Sequence, residues 1–203
     1  DSFLAALTIL NHFFMRGRKD ELSNDYFNLT KSALSKIIKN DYSGSFDRFI
    51  CSVDDALIND VKNYFQNQTT KNTLNSERRS EFAKLFEKSV LISGLLNETS
   101  ENRTINNDAD FRMIIGVLAF INNHDEKNVT NYCLSMIEQG KTDALYKELD
   151  DIFEVGDKLA SFYLRNLAAL FLPEKEFQKN EMQYFLPIDT WIVQVLKQFN
   201  GDE

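Results

Sequence analysis

The amino-acid sequence predicts an all-α fold, a helical bundle of about nine helices in two lobes, from three observations. Apolar residues recur at steps of three and four along most of the chain, the period of one helix face. Turn formers are sparse, with 7 Gly and 2 Pro in 203 residues, whereas an all-β chain needs them at short intervals. No stretch reads as a confident strand.

Residues 2–15 place Phe3, Leu4, Leu7, Leu10 and Phe14 on one stripe, and Gly17 follows as a stop. Residues 25–39 repeat the pattern through Tyr26, Leu29, Ala33, Leu34, Ile37 and Ile38. Residues 46–65 do so through Phe49, Ile50, Val53, Leu57, Val61 and Tyr64. After a polar loop at 66–75 the pattern predicts one helix over 76–97, with Phe82, Leu85, Phe86 and Leu91 inward and Asn75 or Ser76 as its cap. Glu98–Asp108 is polar and turn-rich and reads as a linker. The helix predicted over 109–122 is apolar nearly all round, which places it at the centre of a core. A helix over 126–139 ends at Gly140, and Thr142 is placed to cap the next, which runs to Ile152. Another runs from Lys158 to Phe171, and Pro173 and Pro187 bracket a loop before a last helix from Thr190. With no internal repeat, residues 1–203 read as a single all-helical domain.

Composition removes several functions. The longest nearly apolar run, Phe111 to Ile121, is too short for a bilayer span and contains Arg112. Cys51 and Cys133 form no CxxC pair, which excludes a Cys-ligated zinc or iron–sulfur site and a disulfide framework. No basic region followed by an apolar stretch opens the chain, so the expected setting is intracellular, cytoplasmic or nucleoid-associated, without a membrane partner. The balance of 23 basic against 31 acidic residues, net −8, opposes casual binding to nucleic acid. His12 and His124 have no histidine partner at ligand spacing and read as structural. Two basic groups, Arg16/Arg18/Lys19 and Arg78/Arg79/Lys84/Lys88 on one helix, could meet phosphate, though a solvated helix face is their ordinary use.

The stretch from Asp151 to Val195 carries the chemistry. A turn around Val155, Gly156 and Asp157 opens straight into a helix, and a helix start presents unpaired N–H groups at the positive end of its dipole, a grip for phosphate oxygen. Lys158 falls in the first turn, where the dipole and partial desolvation by Leu159 and Phe162 would favour the neutral, nucleophilic amine. Taken on spacing alone, Lys158 reads first as an exposed helix-start lysine. Asp189, after Pro187, reads as an N-cap for the N–H of Trp191 or Ile192, and a carboxylate held there can steady a developing cation. Phe162, Tyr184 and Trp191 could wall a pocket for a flat base.

The order helix, Val155-Gly156-Asp157-Lys158, apolar helix, Pro187-Ile188-Asp189-Thr190 resembles the helix-hairpin-helix, glycine/proline/aspartate superfamily of DNA base-excision glycosylases, over roughly residues 142–198. The spacing of Lys158 and Asp189 resembles the bifunctional 8-oxoguanine glycosylase/lyase branch. The resemblance implies Lys158 as Schiff-base nucleophile, Asp189 as its catalytic carboxylate, and Val155, Gly156 and Asp157 as DNA contacts. It further implies a monomer acting on double-stranded DNA with a damaged base, no required cofactor, no iron–sulfur cluster, and a monovalent cation at the hairpin. A helix-hairpin-helix module that binds DNA or protein without catalysis is the alternative. The chain departs from the family pattern at Glu154, where the first hairpin glycine stands, and at Trp191, where a histidine is common.

Overall fold

The computed structural model describes residues 1–15, 20–66, 76–100, 103–105 and 108–186. Over these residues the fold is all-α. In chain order the helices are α1 (Ser2–Phe14), α2 (Asp20–Asp41), α3 (Phe46–Ile50), α4 (Asp55–Gln66), α5 (Ser76–Leu85) and α6 (Val90–Asn97). They continue with α7 (Asp108–Asn122), α8 (Val129–Glu138), α9 (Thr142–Asp150) and α10 (Asp157–Phe171), followed by a 3-10 turn at Met182–Phe185. None of the described helices is long and apolar enough to cross a membrane. The linker stretch holds an unforeseen antiparallel ladder of two residues a strand, Thr99 opposite Thr104 and Ser100 opposite Arg103. The chain forms two compact units, Asp1–Val129 and Thr130–Glu203.

In the first unit α7 is the centre. Phe111, Met113, Ile114, Ile115, Val117 and Leu118 are all fully buried, and α1, α3 and α4 pack around them. Each such side chain contributes about 1.5–3 kcal/mol through loss of apolar surface to water. Asp1 starts α1 by accepting from the N–H of Phe3 at 2.9 Å. At the junction of α4, α5 and α7 the Phe82 ring stands 4.9 Å from Tyr64, 5.4 Å from Phe65, 4.7 Å from Phe86 and 5.6 Å from Phe111.

Two helices expected as continuous are broken. The stripe over 46–65 stops at Ile50 and resumes at Asp55, because the Ser52 hydroxyl donates to the Phe49 carbonyl and the Asp54 carboxylate accepts from the N–H of Leu57. The stripe over 76–97 breaks between Leu85 and Val90, where Ser89 caps α6 by accepting from the N–H of Ile92. Serine and aspartate compete for backbone groups in this way and favour starting a helix over continuing one. Thr142 is not a cap. It lies inside α9, fully buried, and its hydroxyl donates to Glu181 at 3.0 Å, while Lys141 holds the cap position without a side-chain bond.

Helices α2 and α6 meet so closely at Gly94 that a Cβ there would lie 2.5 Å from Ile37 Cδ1. Beside this contact the Glu98 carboxylate, almost wholly buried, accepts from Ser32 at 2.7 Å and from both approaches of Lys36 at 2.8 and 2.9 Å. Burial alone would raise its pKa. The hydrogen bonds from Lys36 and Ser32, with the Lys36 charge, outweigh burial and hold it below its ordinary 4.5. A depressed folded-state pKa adds stability that is complete above 4.5 and is lost as pH falls through the lower, folded value. The expected result is an acid-side loss of unfolding free energy that Glu98→Gln removes. Parallel urea titrations of the two proteins below pH 5 that keep a constant difference would refute it.

Candidate functional site

The second unit is built from α8, α9, α10 and the 3-10 turn, around Cys133, Leu145, Leu149, Ala160, Tyr163 and Leu164. Tyr163 is completely buried in this core. Burial pushes the Cys133 thiol far up, so this cysteine is a packed core group with no thiolate to react. The other cysteine, Cys51, is free and exposed in the first unit.

Helices α9 and α10 run into each other through a turn at residues 151–156. The bend is made by Glu154, which adopts φ +61°, and not by Gly156, whose φ of −109° and ψ of 179° any residue can adopt. The left-handed region costs a residue with a Cβ on the order of 1–2 kcal/mol, so this turn bears a strain that glycine would avoid. Gly156 caps α10 without a side-chain bond, and the N–H groups of Leu159 and Ala160 both close on its carbonyl at 2.9 and 3.1 Å. The helical ladder therefore begins at the Gly156 carbonyl, and the Gly156 and Asp157 amides precede its first donor, Leu159.

The structure treats the three predicted DNA contacts differently. Val155 is buried, and its N–H donates to the Ile152 carbonyl at 3.0 Å, so neither its side chain nor its amide faces a ligand. Gly156 and Asp157 are exposed. A Cβ at Gly156 would meet nothing within 4 Å, so the space over it is open. Gly156→Ala is therefore expected to leave the fold intact, or to stabilise it by about 0.4–1 kcal/mol through a stiffer unfolded chain. If a phosphate seats over this position, the same methyl weakens duplex binding. Thermal unfolding and a salt-titrated binding assay on one protein read both effects, and unchanged affinity at raised stability removes phosphate from Gly156.

Lys158 stands in the first turn of α10 and is exposed. Leu159 and Phe162, expected to cover it, are themselves only half-buried. Phe162 carries the Arg165 guanidinium over its ring at 4.4 Å, so one face of this supposed base-stacking ring is already covered. Tyr184 stacks on Tyr146 at 5.1 Å between ring centres and donates to Asp143 at 2.7 Å. Asp189, Trp191 and the predicted helix from Thr190 lie outside the described residues, as do Gly17 and the basic group at 16–19.

Sequence reasoning missed the residue that connects these parts. Tyr146 on α9 donates its hydroxyl to Asp157 at 2.7 Å. Burial, then the Asp157 and Asp150 charges, push the Tyr146 pKa well up, so the phenol keeps its proton. The only local signal was the Asp143/Lys147 pair at helical spacing, an ion pair of 2.8 Å. Electrostatically the turn is acidic, with Asp150, Asp151, Glu154 and Asp157 inside one short stretch. Burial first, and then the Asp157 and Asp151 charges, raise the Asp150 pKa.

Elsewhere, Arg79 is not a solvated cation. It is half-buried in the first unit and donates to the carbonyls of Leu96 and Ile105. Lys88 falls in the break between α5 and α6, not on one helix with Arg79. It lines a cavity of about 390 Å³ together with Lys36, Asn40 and Glu98. His12 Nδ1 sits 3.0 Å from the Thr8 carbonyl, and His124 packs edge-on to Phe120 at 4.7 Å. Among the described residues no group of three or more His, Cys, Asp or Glu could hold a metal ion.

Compared with known proteins, the chain matches no family model, no curated protein and no solved structure.

Proposed function

We propose that this chain is a DNA base-excision glycosylase with associated lyase activity, acting on an oxidised purine such as 8-oxoguanine. One observation carries the reading. Lys158 is exposed one residue past a helix start whose Gly156 face is unobstructed, beside amides that precede the helical ladder. Such a helix start holds a phosphate oxygen, and an amine one residue on reaches the adjacent sugar. The chemistry then follows from the residue types. The damaged nucleotide leaves the stack, at about a few kcal/mol. The Lys158 ammonium gives up a proton, and its lone pair attacks the sugar C1′ while the glycosidic C–N bond breaks and the base leaves with the electron pair, to be protonated. Asp189 is assigned the growing positive charge on the sugar. Sugar ring opening gives the protonated Schiff base. Loss of a C2′ proton then expels the 3′ phosphate by β-elimination. The negative turn suits a monovalent cation on its backbone carbonyls, which would moderate the repulsion between four carboxylates and phosphate.

Those carboxylates favour a second reading, a helix-hairpin-helix module that binds a partner without base excision. One experiment separates the two. The chain is incubated with duplexes carrying 8-oxoguanine, uracil, thymine glycol or alkylated adenine, with borohydride present. Base release with a covalent adduct on one lesion supports the glycosylase. Salt-sensitive binding with no release on any of them leaves the module.

A further inference from the structure

Resting on the reading of Lys158 as the reacting amine, we propose that Tyr146 is the positioning residue of this site, clamping the first turn of α10 from α9. Helix α10 starts on a glycine cap, so the cap residue supplies no side chain to fix where the first turn begins. The Tyr146 hydroxyl does so from outside. It donates to Asp157, the first residue of α10, at 2.7 Å. The phenol ring is itself held. Tyr184 stacks on it at 5.1 Å, and Tyr184 is anchored through Asp143, which is paired with Lys147. The Asp157 carboxylate sits at the positive end of the α10 dipole, so the hydroxyl and the helix act on it in the same direction.

Lys158 is the next residue in the chain. Any slip of the first turn carries its backbone along, and an ångström of misplacement is enough to slow an attack that depends on near-contact geometry. The clamp is a single hydrogen bond to a charged acceptor, and its removal is expected to matter at about that scale.

Tyr146→Phe tests this, because it keeps the ring and its stack on Tyr184 and deletes only the donor. In the full chain, amide hydrogen exchange over residues 157–161 is expected to accelerate about tenfold, while the rest of α9 and α10 exchanges as before. Borohydride trapping on an 8-oxoguanine duplex is expected to slow about tenfold, with duplex affinity changed less than about threefold. Asp157→Asn, which keeps a weaker acceptor, is expected to fall between wild type and Tyr146→Phe, and it serves if the phenylalanine variant does not fold. Unchanged exchange at 157–161 overturns the clamp whatever the activity. Faster exchange with an unchanged trapping rate overturns the positioning role, as does an equal fall in trapping and affinity with a lowered Tm. A wild-type chain that traps no duplex overturns the lyase reading alone, and the exchange data then still decide whether the clamp exists.

Discussion

Lys158→Gln is expected to abolish the borohydride adduct on lesion-containing duplex while leaving the protein folded. Glutamine approximates the length of the lysine stem but has no amine to form a Schiff base, so the covalent species disappears entirely. Stability should move by no more than about 0.5 kcal/mol, because the side chain is exposed. Duplex affinity should weaken only slightly, since one surface cation among many phosphate contacts contributes little. The measurement is a denaturing gel of trapped complex beside a thermal melt of the same preparations. Equal trapping by wild type and variant would take the nucleophile's role from Lys158, and would direct the search to another amine. An adduct lost together with the fold would be uninformative, so the melt is part of the result.

Phe82→Ala is expected to be the most destabilising of the substitutions considered, at about 3–5 kcal/mol. Phe82 is completely buried, and its ring meets rings from α4, from α7 and from Phe86 just after α5. Truncation removes the transfer energy of the ring and leaves a void that rigid aromatic neighbours close only partly. On a chain of this size the midpoint should fall by about 10 °C. Phe82→Leu, which retains most of the volume, should cost clearly less. Urea unfolding followed by circular dichroism checks both, and a loss below about 1 kcal/mol for the alanine variant would show that the cluster is not a shared core.

The helices were legible because their signal is local. The stripes of α1, α2, α7, α8 and α10 follow from apolar spacing alone, and the structure begins and ends them within a few residues of the expected places. The breaks at 51–54 and 86–89 were hidden, because Val53 and Phe86 keep the apolar period running through them while Asp54 and Ser89 cap new helices. Leu4 and Leu85 lie on the expected stripes yet are 63% and 62% exposed. Among the described residues nothing covers them, and no periodicity records the absence of a partner. Arg79 shows the reverse error. It read as a surface cation because its role depends on two carbonyls, of Leu96 and Ile105, brought to it only by folding.

At the candidate site the same division holds. The sequence alone determined a helical class, a turn feeding a helix, and an amine in that helix's first turn, because each depends on neighbours a few residues away. Only the tertiary structure decided which groups of the turn remain usable. The Val155 amide is taken by the turn itself, Glu154 bears the bend, and Lys158 is exposed. It also decided that Tyr146, eleven positions before Asp157, grips that helix start. Burial and hydrogen-bond partnership belong to whatever lies adjacent in space, and apolar spacing along a chain carries no information about that.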